Sequence, residues 1–205
     1  MRRNLCVFAL LAVIAAVLPS TAHAGSTVQH FKGISATVSF VSFDSTGCVG
    51  TFADLFVIDE LTRTPGNAEA TSRALLSVVQ YDTCLNVFLG DLSGSADLPP
   101  EAFDTRGKLH GARLAASMEV TDFQTGATVP VSIDLVWTAV GDVVRGSSSF
   151  RSVYPNQRIS FRQMGSSTMA DVAGTLLVGG VERASQPADF GILTENQTGS
   201  VTITR

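Results

Sequence analysis

Three arginines lie close together in residues 146–162, GSSSFRSVYPNQRISFR, a segment without acidic residues. Arg151, Arg158 and Arg162 carry planar guanidinium groups, which bind carboxylate, sulfate or phosphate through paired hydrogen bonds. Arg145 lies just before this segment and extends the group. These four arginines form a candidate anion-binding site, and an anionic extracellular polysaccharide is its candidate ligand. In the alternative interpretation, they keep an exposed β face soluble and prevent edge-to-edge pairing, or acids on a neighbouring strand neutralise them.

The spacing of these arginines predicts a two-faced β-hairpin. Residues 154–157, YPNQ, are typical of a type I turn, because proline suits the second position of such a turn. A turn there fixes the register of the two strands and separates alternate residues onto opposite faces. Phe150, Ile159 and Phe161 then share the face that we expect to join the core. The three arginines of the segment share the other face.

Catalytic chemistry has little support in the residues. His30 and His110 lie outside any recognised nucleophile motif, and we find no zinc-protease, phosphate-loop or dinucleotide motif. The serines within 146–149 and 165–167 are typical of strand entries and turns. No catalytic residue and no cofactor is therefore assigned. The alternative, an extracellular hydrolase acting on polymers, requires two carboxylates about 5–10 Å apart in a cleft.

Three aspartates occupy similar predicted turns. Asp44, Asp82 and Asp122 each follow an apolar strand and precede another, a position where an aspartate side chain can bind the backbone two residues on. Together they could instead supply oxygen ligands to calcium. No EF-hand loop or Asp-x-Asp-x-Asp-Gly series supports that arrangement, so we predict local turn capping and assign no metal.

Two cysteines, Cys48 and Cys84, lie in the first two of these turns. Two hairpins side by side would bring the turns together, and an exported protein meets an oxidising compartment. We therefore predict a disulfide, with two separate buried thiols as the alternative. Zinc is not expected, because two cysteines with His30 and His110 match no known ligand spacing.

Strand signals recur along the chain, and helical periodicity is nearly absent. Residues 131–137, VSIDLVW, alternate apolar and polar side chains, as a half-buried strand does. About ten such segments predict an all-β fold, an antiparallel β-sandwich or partly closed barrel. An outer-membrane β-barrel is a further alternative. It fits poorly, because the chain ends in Arg205 rather than an aromatic residue and holds one Trp and two Tyr, too few for two aromatic girdles.

The N-terminal residues have the layout of a secretory signal peptide. Arg2 and Arg3 precede an apolar run, and Ala22-His23-Ala24 is a typical cleavage site. We therefore predict a signal peptide over 1–24, cleavage near Ala24, and one all-β domain over 25–205. Loss of Arg2 and Arg3 lowers the 14 basic residues to 12 against 18 acidic ones, a net charge of −6. Such a chain is not expected to bind nucleic acid, and no transmembrane helix is expected after cleavage.

Residues 134–142, DLVWTAVGD, carry a resemblance to a known group of proteins. With Arg145 and the serine-rich residues 147–150, this segment resembles a loose set of uncharacterised exported bacterial β-rich proteins with no assigned activity. Those proteins share a strand ending in W-T-x-x-G, a polar Ser/Arg hairpin and a late glycine-containing strand. The match covers about residues 131–178. It implies export and an all-β fold, and it carries over no catalytic or binding residue.

These observations predict a secreted or cell-envelope protein that binds a ligand or surface without catalysis.

Overall fold

The computed structural model describes residues 26–99, 101–105, 108–123, 125–184, 188 and 190–204. The signal peptide predicted for 1–24 lies outside these residues. The described chain is almost entirely β-strand, with one 3-10 turn at Lys108–His110. In chain order the strands are β1 (Ser26–Phe43), β2 (Val49–Thr64), β3 (Asn67–Asp82), β4 (Val87–Asp97), β5 (Phe103–Thr105), β6 (Gly111–Asp122), β7 (Thr128–Ala139), β8 (Val144–Tyr154), β9 (Gln157–Val178), β10 (Val181–Glu182) and β11 (Phe190–Thr204).

All eleven strands of the described residues belong to one antiparallel sheet. Its order runs β10-β9-β11-β1-β2-β3-β4-β6-β5, and β7 joins β6 to β9. The path therefore returns on itself and the sheet is partly ring-like. The ring is closed by few hydrogen-bonded pairs between β4 and β6, where only Gly94 and Ser95 pair with Asp122 and Thr121. The predicted all-β antiparallel fold of about ten strands is confirmed.

The core lies on the inner face of this ring. Alternate residues of β1, β2, β3, β6, β7, β9 and β11 point into it, because successive side chains of a strand lie on opposite faces. Trp137 on β7 is only 1% exposed, and its indole N–H donates a hydrogen bond of 3.0 Å to the Thr37 carbonyl of β1. The connection between β4 and β6 adds Leu98, Phe103 and Leu109 to the same core.

The alternation of residues in this part of the sequence predicts two strands, near 158–164 and 170–178, and the structure of β9 differs from this prediction. It is one strand of 22 residues. Its second half pairs with β7, from Ala170 to Val178, and its first half pairs with β8 along the same edge. The serines at 166 and 167, predicted as turn residues, lie within the strand because neighbours on both edges supply their backbone partners.

The first half of β9 extends beyond the end of β7 and carries part of the sheet out of the ring. We call this part the sheet extension. It comprises β8 with residues 157–166 of β9, 195–204 of β11, 26–34 of β1 and 59–64 of β2.

The predicted disulfide is present. Cys48 and Cys84 are bonded, with Cα atoms 5.2 Å apart, and they join the β1–β2 turn to the β3–β4 turn. The Thr83 N–H and hydroxyl both donate to the Cys48 carbonyl, at 2.8 and 2.9 Å. The two hairpins are therefore held together covalently and by hydrogen bonds. No described segment forms a helix with the length and apolar character needed to span a bilayer.

Replacing Trp137 with phenylalanine should lower the free energy of unfolding by about 1–3 kcal/mol. The smaller ring leaves space in the core, and the Thr37 carbonyl loses its donor. Denaturant unfolding measures the loss. Val153→Ala, at an exposed position, should change stability by no more than about 0.5 kcal/mol. Equal effects of the two substitutions would contradict the placement of Trp137 in the core.

Replacing both cysteines, Cys48→Ser with Cys84→Ser, should lower the free energy of unfolding by about 3–4 kcal/mol. The bridge spans 36 positions of sequence, and its loss restores conformational freedom to the unfolded chain. Denaturant unfolding of the variant and of the oxidised and reduced protein measures the effect. The reduced protein should match the variant, and an unchanged midpoint after reduction would disprove the stabilising role.

Candidate functional site

The hairpin of β8 and β9 has the predicted register. Tyr154 pairs with Gln157, Phe150 with Phe161, and Ser149 with Arg162. Directly opposite residues of antiparallel strands place their side chains on the same face. Arg151, Arg158 and Arg162 therefore share one face, as predicted, and Arg145 shares it too because it lies six residues before Arg151 on the same strand.

The arginine face is the outward continuation of the core face. From Ser166 to Val178 every even-numbered residue of β9 except Gly174 is buried, and Arg162 and Arg158 continue the same alternation toward the start of the strand. β1 shows the same change, from buried Ala36 through partly buried Ile34 to exposed Lys32. We call this face of the sheet extension the basic face. It is open because the ring ends before it.

The expectation that Phe150, Ile159 and Phe161 join the core is wrong. They lie on the opposite face, and Phe150 remains 42% exposed. Phe161 stacks between Phe150 and Phe31, with ring centroids 5.2 and 5.7 Å away. Phe31 also covers Gly199, where an added Cβ would lie 2.1 Å from the ring. This separate aromatic cluster lies on the back of the basic face and connects side chains of β1, β8 and β9.

Arg151, Arg158 and Arg162 each have at least one hydroxyl side chain in their row of the sheet. Arg158 lies between Val153 and Thr204 in the register, and Ser160 and Thr202 continue the row of Arg151. The described ion pairs join Arg73 to Asp97 and Arg113 to Asp134, and none includes these three arginines.

Arg145 has a different electrostatic environment. Its row across the sheet continues through Ser166 to Glu195, Ile34 and Asp59. Glu195 and Asp59 are the acidic residues on this face of the extension, and of the four arginines only Arg145 has them in its row. The guanidinium groups of Arg151, Arg158 and Arg162 are exposed and have no acid in their rows.

The sequence analysis missed three basic residues of the same face. His30 and Arg63 lie in the row of Arg162, joined to it through Ser200, and Lys32 follows His30 along the face. All three are exposed. A shallow depression runs beside them, lined by His30, Arg162, Ser147, Ser149, Thr198 and Ser200 among others. The register of the β8–β9 hairpin does not predict the position of these residues, because their placement depends on the pairing between β11 and β1.

The three predicted turn aspartates cap their own turns. Asp44 accepts hydrogen bonds from the Cys48 and Val49 N–H groups and from the Thr46 hydroxyl. Asp82 accepts from the N–H groups of Cys84 and Leu85.

Asp122 accepts from the N–H and hydroxyl of Thr125. This confirms the capping role at all three turns. Among the described residues, no group of three or more His, Cys, Asp or Glu side chains is placed to hold a metal ion.

A second depression lies between β4 and β6, where the two strands diverge. Asp97 and Glu119 are among its lining residues. Asp97 binds Arg73 at 2.9 Å, so one of the two carboxylates is already engaged in an ion pair. This depression therefore adds nothing in favour of a hydrolase.

Comparisons with known proteins place no family on the chain. No protein-family model matches it, and no curated protein matches it significantly. Among solved structures, it is similar to an acetoacetate decarboxylase-like enzyme from Sphingomonas wittichii RW1. That likeness has 10% sequence identity and a TM-score of 0.28, and it covers 89% of this chain and 92% of the enzyme. At this TM-score the likeness carries no argument about fold or function.

Replacing Asp44 with asparagine should lower the melting temperature at pH 6 and have little effect near pH 2. Hydrogen bonds from the Val49 N–H and the Thr46 hydroxyl hold the pKa of Asp44 below its usual value of 3.8. The stabilisation is therefore complete above about pH 4 and is lost as the pH falls through the lower, folded-state pKa. Thermal unfolding across this range measures it.

The matched control is Asp104→Asn, at an exposed position on β5. Because this side chain is exposed, the variant should keep a melting temperature close to that of the wild type at pH 6. A constant difference for Asp44→Asn from pH 6 to pH 2 would contradict a role of the charged carboxylate.

Proposed function

We propose that this protein is an exported, non-catalytic binding domain that holds an anionic extracellular ligand on its basic face. One observation carries the proposal: Arg151, Arg158 and Arg162 are exposed together on one face, with no acid in their rows. Unpaired guanidinium groups suit sulfate, carboxylate and phosphate, so an anionic glycan is a fitting ligand. Arg145 borders this site on the side of Glu195.

The arrangement supports binding more than the solvated alternative. Solubility alone requires neither that the arginines lie together on one face nor that stacked aromatic rings pack behind them. Both features are present here. The chain is acidic overall, with a net charge of −4, so its basic side chains are not simply in excess. The disulfide supports export, because such bonds persist in oxidising compartments.

Arg151→Ser combined with Arg158→Ser should abolish retention of the mature protein on a heparin column at low salt. Both side chains are exposed, so the variant should keep the wild-type melting temperature within a few degrees. The wild type should be retained and should elute as salt rises, because salt screens exposed charges.

The matched control is Arg73→Ser combined with Arg113→Ser, which removes the same charge from two ion-paired positions elsewhere. Retention of this control should resemble that of the wild type. A wild-type protein that passes through the column, or an equal loss in both double variants, would refute the anion site.

A further inference from the structure

One row of the sheet crosses five strands with basic groups on both sides. Ser149, Arg162, Ser200, His30 and Arg63 lie directly opposite one another, from β8 through β9, β11 and β1 to β2. All five side chains therefore share the basic face. The row joins the hairpin arginines to a second basic group, which is formed by His30 and Arg63 with Lys32 beside them.

The basic groups are too widely spaced for one small anion. Neighbouring strands lie about 4.8 Å apart, so the Arg162 and Arg63 backbones are separated by about 14 Å across three spacings. Arg158 and Arg162 are four residues apart on one strand, which is about 13–14 Å. A sulfate or phosphate ion can contact only one end of this face. A linear polyanion can contact both.

The polar groups between the arginines favour a polysaccharide over a nucleic acid. Ser149, Ser200, Thr198 and Ser160 present hydroxyls between the basic groups, and these suit sugar hydroxyls and sulfates. Binding of single-stranded nucleic acid relies on aromatic side chains that stack with bases. The aromatic cluster of the sheet extension lies on the opposite face, so such stacking has no support here.

We propose that the basic face binds one linear, sulfated or uronate-rich polysaccharide, which runs across the strands from the hairpin arginines to Arg63. His30, Lys32 and Arg63 are then further binding residues. The depression beside Arg162 and His30 lies under the middle of the bound polysaccharide. This inference rests on the proposed function and adds the ligand's shape, its direction and three binding residues. It requires affinity to depend on the length of the ligand.

A length series tests the inference. Heparin-derived oligosaccharides from disaccharide to decasaccharide are titrated into the mature protein at low salt by isothermal calorimetry. The decasaccharide should bind at least about tenfold more tightly than the disaccharide, since it reaches basic groups on four strands. The salt dependence of its affinity should also be steeper, because more counterions are released.

Variants at the two ends separate the two parts of the site. Lys32→Ser with Arg63→Ser should weaken decasaccharide binding about tenfold and leave disaccharide binding within about twofold. Arg151→Ser with Arg158→Ser should weaken both. Arg73→Ser with Arg113→Ser should weaken neither. Thermal unfolding of each variant verifies its fold, and Arg63→Gln replaces the first pair if that pair is unfolded.

The outcomes distinguish the inference from the proposed function. Equal affinity for short and long oligosaccharides, or no effect of the Lys32 and Arg63 changes, would disprove binding across the strands as far as Arg63. The proposed anion site at the hairpin arginines would not be affected by that result. Tighter binding of a single-stranded oligonucleotide of matched charge would overturn the polysaccharide. No binding of any oligosaccharide by the wild type would overturn both proposals.

Discussion

The backbone pairing of β9 is the constraint on which the rest of the structure depends. This strand joins β7 along its second half and β8 along its first half, while β11 occupies its other edge. It therefore belongs both to the ring and to the sheet extension. β9 has no bulge against β8 or β7, so its even-numbered side chains stay on one face along the whole strand. These side chains are buried where the ring encloses that face and exposed where it does not.

The same face thus has two roles on one strand. Inside the ring, Val172, Leu176 and Val178 fill the core. Beyond the ring, Arg162 and Arg158 stand at positions of the same parity and are exposed. Charged side chains can occupy those positions because nothing in the described chain covers them. On the opposite face of the sheet extension, the stacked rings of Phe31, Phe150 and Phe161 bury apolar surface outside the main core. They supply the apolar packing that the exposed basic face does not provide.

Features that depend on nearby residues were predictable from the sequence. The Pro155–Asn156 turn specified the register of its hairpin, and the aspartate turns indicated where Cys48 could meet Cys84. Such features are local, because turn chemistry and strand alternation act over a few residues. The strand pattern was likewise sufficient for the fold class.

Features that depend on distant strands were not predictable. Phe150 was placed in the core because an alternating pattern shows two faces without showing which one other strands cover. β9 was divided in two because Ser166 and Ser167 resemble turn residues when their partners on β8 and β11 are unknown. The positions of His30 and Arg63 beside Arg162 were not predictable for the same reason, since they depend on the pairing of β1 with β11 and β2.

The position of β1 has a consequence for how the chain acquires its structure. β1 pairs with β2 on one edge and with β11, the last described strand, on the other. β1 to β4 follow one another as neighbours, so they can form early and be locked by the disulfide. The second edge of β1, however, pairs with β11, which lies more than 140 residues further along the sequence. Ring closure therefore depends on contacts between distant parts of the sequence, and folding is slower when such contacts dominate. A chain in which β11 is not paired leaves this edge of β1 open, and an open strand edge favours aggregation.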